Sequence, residues 1–153
     1  MLTVWLISSS ILILVFLTLM YNQANLGRAP GIKSRLILFL TFNQAEINRS
    51  ADLPELESPR FQQPPDQLFN KLIEIVDVLG WEALQIDHKK NIIQAVVTTP
   101  VWRFKDDMTI SVIPEGDGSY IYAHSRSRKG TGDLAANSHH LQQLLEKLQM
   151  IGK

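Results

Sequence analysis

Asp107 to Arg128 reads DMTISVIPEGDGSYIYAHSRSR, and this stretch decides the fold. Asp107 to Pro114 and Ser119 to Arg128 alternate apolar and polar residues on either side of Glu115-Gly116-Asp117-Gly118, and Asp117-Gly118 is a favoured two-residue hairpin turn. Such a loop places Asp107 opposite Arg128, Thr109 opposite Arg126 and Ser111 opposite His124. A four-residue loop shifts the partners by two and leaves the faces unchanged, because side chains alternate with period two. One face then carries Met108, Ile110, Val112, Ile121 and Ala123, and is the core side. The other carries Asp107, Thr109, Ser111, Tyr120, Tyr122, His124, Arg126 and Arg128, which makes it solvated sheet or a recognition surface.

Two further strand-like runs precede this hairpin, Trp81 to Asp87 and Asn91 to Thr99, around a polar turn of His88, Lys89 and Lys90. An amphipathic helix flanks the sheet on each side in sequence. The first, Gln67 to Leu79, has Asp66 as its cap, Gly80 as its stop and Leu68, Leu72, Ile75, Val76 and Leu79 at helical spacing. The second starts at an Asp133 cap and carries Leu134, Leu141, Leu145 and Leu148, with Lys147 and Lys153 near the negative end of its dipole. The expected fold class is α+β: a four-stranded antiparallel meander flanked by two helices, α-β-β-β-β-α, over residues 66–153.

Ahead of it, Leu2 to Tyr21 contains no charged side chain. Twenty helical residues at ~1.5 Å each span roughly 30 Å, the hydrocarbon thickness of a bilayer. The stretch lacks the basic n-region and small −3 and −1 residues of a cleaved signal peptide, so residues 1–21 are expected to form a retained single-pass transmembrane anchor. Residues 22–65 read as a linker. Its apolar segment Leu36 to Phe42 is expected to lie at the membrane interface, with packing on the domain as a strand as the alternative, and Pro54, Pro59, Pro64 and Pro65 keep the rest extended.

Several function classes are excluded or disfavoured by composition. The 153 residues include no cysteine, which removes disulfides, thiolate nucleophiles and cysteine-ligated zinc. Fifteen basic residues balance fifteen acidic ones, so no charge excess points to nucleic acid. Adjacent Asp106 and Asp107 point to opposite faces of a strand and are badly placed as an acid–base couple. His139 and His140 diverge by ~100° on a helix and have no third ligand at a useful spacing, so no metal site or other cofactor is expected. Ser125 and Ser127 lack a nucleophile elbow. The run Ser125 to Gly132 (SRSRKGTG) has three cations and two glycines ahead of a helix. It reads as a structural loop, with Asp133 occupying the helix end that an anion would take.

Thr98 to Asp107 (TTPVWRFKDD) and Ser125 to Asn137 (SRSRKGTGDLAAN) together resemble the bacterial and plastid domain-of-unknown-function family 1499, over about Phe69 to Leu148. The pattern carries over onto Thr99, Pro100, Phe104, Asp106, Asp107, Ser125, Ser127, Arg128, Gly130, Asp133 and Asn137. The proline-asparagine-cysteine stretch often found ahead of the domain in that family is missing. The resemblance implies an exported, membrane-tethered domain, whereas Arg28, Lys33 and Arg35 after the apolar stretch argue for a cytoplasmic one. The balance leans to a domain exported from the inner membrane, and no activity comes with the family.

Three functions are therefore weighed. The first is a non-catalytic interaction module, such as an accessory subunit seated on a larger membrane protein. The second is a binder of anionic lipid headgroups or small acids through Arg126, Arg128 and Lys129. The third is a hydrolase using Asp106 or His124. The candidate surface comprises Phe104, Asp106, Asp107, Tyr120, Tyr122, His124, Arg126, Arg128, Gly130, Asp133 and Asn137.

Overall fold

A computed structural model describes residues 2–151, so Lys153 lies outside the described residues. In chain order the elements are α1 (Leu2–Tyr21), α2 (Ile32–Thr41), β1 (Gln44–Ile47), a 3-10 turn (Pro54–Leu56), α3 (Pro65–Val78), β2 (Glu82–Asp87), β3 (Ile92–Thr98), β4 (Lys105–Glu115), β5 (Gly118–Ser127) and α4 (Ala136–Ile151). The strands form one antiparallel sheet in the order β1-β5-β4-β3-β2.

The four-stranded meander is therefore corrected to five strands. β1 pairs with β5 from Gln44 opposite Arg126 to Ile47 opposite Ala123. Ile47 is fully buried in the core beneath the sheet, and that burial fixes the strand's register. The apolar segment ahead of it is not a strand. It forms most of α2, whose Phe39 is buried in the same core and whose Phe39 carbonyl accepts the Leu134 amide at 3.0 Å.

The transmembrane anchor is also corrected, and with it the single-pass inner-membrane location. Residues Leu2–Tyr21 are helical, but among the described residues no helix is long and apolar enough to cross a membrane. The last turns of α1 are committed to the protein instead. Leu19 is buried in the core, and just beyond the helix the Asn22 Nδ2 donates to the Leu134 carbonyl at 2.8 Å. Ala24 is buried, and its carbonyl accepts from Arg35 Nη1.

Arg35 locks this N-terminal hairpin down. It is completely buried, forms a two-pronged ion pair with Glu55 at 2.7 Å through both terminal nitrogens, and donates further to the Ala24, Arg28 and Ala29 carbonyls. A planar guanidinium satisfies that many acceptors at once where an ammonium would not. Burial raises the Glu55 pKa, but the Arg35 hydrogen bonds and charge outweigh it and hold the carboxyl below the ordinary carboxylate range.

The β4–β5 hairpin closes with Glu115 opposite Gly118, so the two-residue loop is Gly116-Asp117 rather than Asp117-Gly118. Gly116 supplies the left-handed φ of +63° that this turn needs. Gly118 sits where any Cβ would overlap the Phe61 carbonyl, which ties the strand end to the segment before α3. Partners shift by two: Asp107 faces Arg126, Thr109 faces His124 and Ser111 faces Tyr122. The faces hold as the alternation predicts, with Met108, Ile110, Val112, Ile121 and Ala123 buried against α3 and α4.

Candidate functional site

The site lies at the end of the sheet where β4 begins and β5 finishes. The β3–β4 connection is a tight turn in which the Phe104 amide donates to Thr99 Oγ1 at 2.9 Å and the Thr99 amide to the Phe104 carbonyl at 2.8 Å. Closing that turn costs Arg103 a left-handed φ of 55° and leaves Val101, Trp102 and Phe104 exposed. β4 then turns Asp106 toward the core.

Asn137, on the first turn of α4, ties the sheet end to the following loop. Its Oδ1 accepts from Ser125 Oγ at 2.6 Å, and its Nδ2 lies within 2.6 to 2.9 Å of Asp133 Oδ2, Ser127 Oγ and the Asn43 carbonyl. Asp133 also accepts from the Ala135 and Asn137 amides. It therefore caps the chain ahead of α4, although the helix proper begins at Ala136. Leu134 and Ala135 between them both adopt left-handed φ, 50° and 69°, which is strained for residues with a Cβ. Burial raises the Asp133 pKa; the Asn137 and Ala135 hydrogen bonds pull it back, and the Asp106 charge pushes it up again, leaving it above its ordinary value.

One turn further along α4, His140 Nε2 lies 3.1 Å from Asp106 Oδ2, with the carboxylate fully buried and the ring almost so. The Trp81 ring stands edge-on to His140 with centroids 6.4 Å apart. Asp106 Oδ1, His140 Nδ1 and His139 Nδ1 are buried without a hydrogen-bond partner within the protein. Burial, then the neighbouring His140, holds His139 below the usual histidine pKa and so uncharged near neutrality.

These groups line a cavity of about 560 Å³. Its apolar wall comes from Leu14 and Leu17 of α1, Val101, Trp102 and Phe104 of the β3–β4 turn, and Leu134. Asp106, Asp133, His139 and His140 supply the polar side, and Lys129 stands exposed at the edge. Among the described residues no three His, Cys, Asp or Glu side chains cluster as a metal site would require.

Residues 40–148 match the family described as Protein of unknown function (DUF1499). The chain belongs to this family. Among curated proteins none matches. Among solved structures the crystal structure of Ara h 8.0201 is similar, with a TM-score of 0.48 and 10% identity over 71% of this chain and 96% of that one, a likeness too slight to bear on function.

The residues singled out from the sequence, by family motif or by sheet face, fall into two groups. Phe104, Asp106, Asp133, Asn137, Ser125 and Ser127 converge on the cavity or on the polar network behind it. Asp107, Tyr120, Tyr122, His124, Arg126 and Arg128 lie on or beside the opposite, open face of the sheet. There Arg128 holds Asp107 with Nε and Nη2, across the diagonal and not directly opposite, at 3.0 and 2.6 Å. Tyr122 donates to Glu46 at 3.1 Å, and burial together with Glu46 raises its pKa. The Arg49 guanidinium lies 5.7 Å from the Tyr120 ring centre. Gly130 adopts a φ of +92°, and Gly132 lies where any Cβ would overlap the Leu40 carbonyl of α2.

Sequence reasoning missed the partner of Asp106, because His140 is 34 residues away and was weighed only as a metal ligand. It also missed Asn43, whose backbone and side chain hold Ser127, Gly130 and Asn137. A signal for His140 existed: it falls on the same helical stripe as Leu141, Leu144 and Leu148, where a histidine must find a buried partner.

Proposed function

We propose that this protein is a non-catalytic binding module that holds a small, largely apolar molecule in the cavity between α1, the Thr99–Phe104 turn and α4. The observation that carries the reading is the cavity itself: about 560 Å³, walled by apolar side chains, with a few buried polar groups converging on one side. Ligand sites have that volume and that mixture. The non-catalytic part rests on the serines. Ser125 and Ser127 are both engaged by Asn137, so neither is set up as an imidazole-activated nucleophile. His124, the histidine of the hydrolase reading, stands on the open face across the sheet from this site.

An acid held by Arg126, Arg128 and Lys129 is less well supported, because Asp107 already occupies the Arg128 guanidinium. The test is a fluorescence screen of apolar small molecules using the indole of Trp102 at the cavity edge. Gln143 lines the cavity and is only half-buried. Gln143→Trp should fill the space and abolish binding while leaving the thermal unfolding profile intact. Binding that survives this substitution places the ligand elsewhere and refutes the reading.

A further inference from the structure

We infer that the cavity selects an apolar molecule with a cationic hydrogen-bond-donating head, an amphipathic amine, whose head is read by Asp106. The inference rests on the cavity being a binding site at all. Its first warrant is the pattern of unused hydrogen-bonding atoms. His140 Nε2 engages only one oxygen of the Asp106 carboxylate, Oδ2, at 3.1 Å. The other, Asp106 Oδ1, is a buried acceptor without a partner. An acceptor left over in the wall calls for a donor, because an unpaired buried acceptor is costly and a second acceptor brought beside it would be worse.

The charge of the wall is the second warrant. Two carboxylates, Asp106 and Asp133, line the cavity, and they sense one another: the Asp106 charge helps to raise Asp133. Burial holds His139 uncharged, and the basic side chain among the lining residues, Lys129, is exposed at the edge. A bound cation relieves the carboxylate repulsion, while a bound carboxylate adds to it. The exposed ring faces of Trp102 and Phe104 at the same mouth add cation–π attraction for an ammonium on its way in.

The experiment compares three probes with one body and different heads: decylamine, decan-1-ol and decanoate, each titrated calorimetrically into the full chain at neutral pH. The amine should bind about tenfold or more tighter than decanoate, the scale of one charge-assisted hydrogen bond. Asp106→Asn should remove most of that preference while decanol affinity changes by no more than about twofold, since decanol reports the apolar wall. If Asp106→Asn does not fold, Asp133→Asn and the wild-type series still decide. Decanoate binding as tightly as the amine, or all three binding alike, overturns the amine inference but leaves the cavity as a site. If none of the three binds, or if Gln143→Trp leaves binding unchanged, the binding reading fails and takes this inference with it.

Discussion

Asn137 shows how much a single side chain can carry. Its amide joins β5, the loop after it, α4 and the residue that leads into β1. Asn137→Ala leaves the Ser125 and Ser127 hydroxyls short of partners in a buried setting. Stability should fall by about 3 kcal/mol in denaturant titration, from more than one unsatisfied polar group. A loss below about 1 kcal/mol would mean that water replaces the amide without cost. Gly132 works by absence of a side chain, since a Cβ there meets the Leu40 carbonyl. Gly132→Ala should cost about 1–3 kcal/mol, as overpacking does, and loosen α2 selectively in hydrogen exchange. At the surface, Asp107 and Arg128 are half-exposed, so their coupling in a double-mutant cycle should be small and fade as salt is added.

At the scale of elements, the sequence announced what repeats and hid what does not. The faces of β4 and β5 were legible because inward and outward residues alternate along most of each strand, and α3 because Leu68, Leu72, Ile75 and Val76 recur at helical spacing. The hairpin register was off by two because Gly116 and Gly118 each offer a glycine to the turn, and tertiary contact decides between them: Gly118 is pinned against Phe61. β1 was illegible for a different reason. Four residues cannot display a period, and Gln44-Ala45-Glu46-Ile47 has only one strongly apolar member. The Asp106–His140 contact was invisible for want of any local signal, since it joins a strand start to a helix turn across the whole hairpin. β1 nevertheless contributes to the core. Ile47→Ala should cost about 3 kcal/mol, the penalty for a fully buried isoleucine, and an unaltered unfolding midpoint would show β1 to be an accessory.

For the molecule as a whole, two carboxylates pull stability in opposite directions as pH changes. Glu55 is depressed in the folded state, so its contribution is present above the unfolded carboxylate value and is lost as pH falls through the folded one. Asp133 is raised, so its contribution is complete below the unfolded value and disappears as pH climbs through the folded one. Unfolding free energies measured from acid to neutral pH should therefore lose acid sensitivity in Glu55→Gln and lose part of the decline on the less acidic side in Asp133→Asn. Parallel curves for wild type and Glu55→Gln would remove the Arg35 pair from the account of acid unfolding.

The cavity wall is drawn from two stretches of chain with different standing. Asp106, Asp133, His139 and His140 fall inside residues 40–148, the part shared with the family, whereas Leu14, Leu17, Thr18, Tyr21 and Asn22 precede it. The acidic and imidazole side chains of the wall thus come from the family part, while its apolar side chains are drawn from both stretches. On the proposed function, exchanging the leading helix for another apolar segment would reshape part of the wall while leaving Asp106, Asp133, His139 and His140 in place. A common floor under interchangeable ceilings is a route by which one scaffold acquires many selectivities.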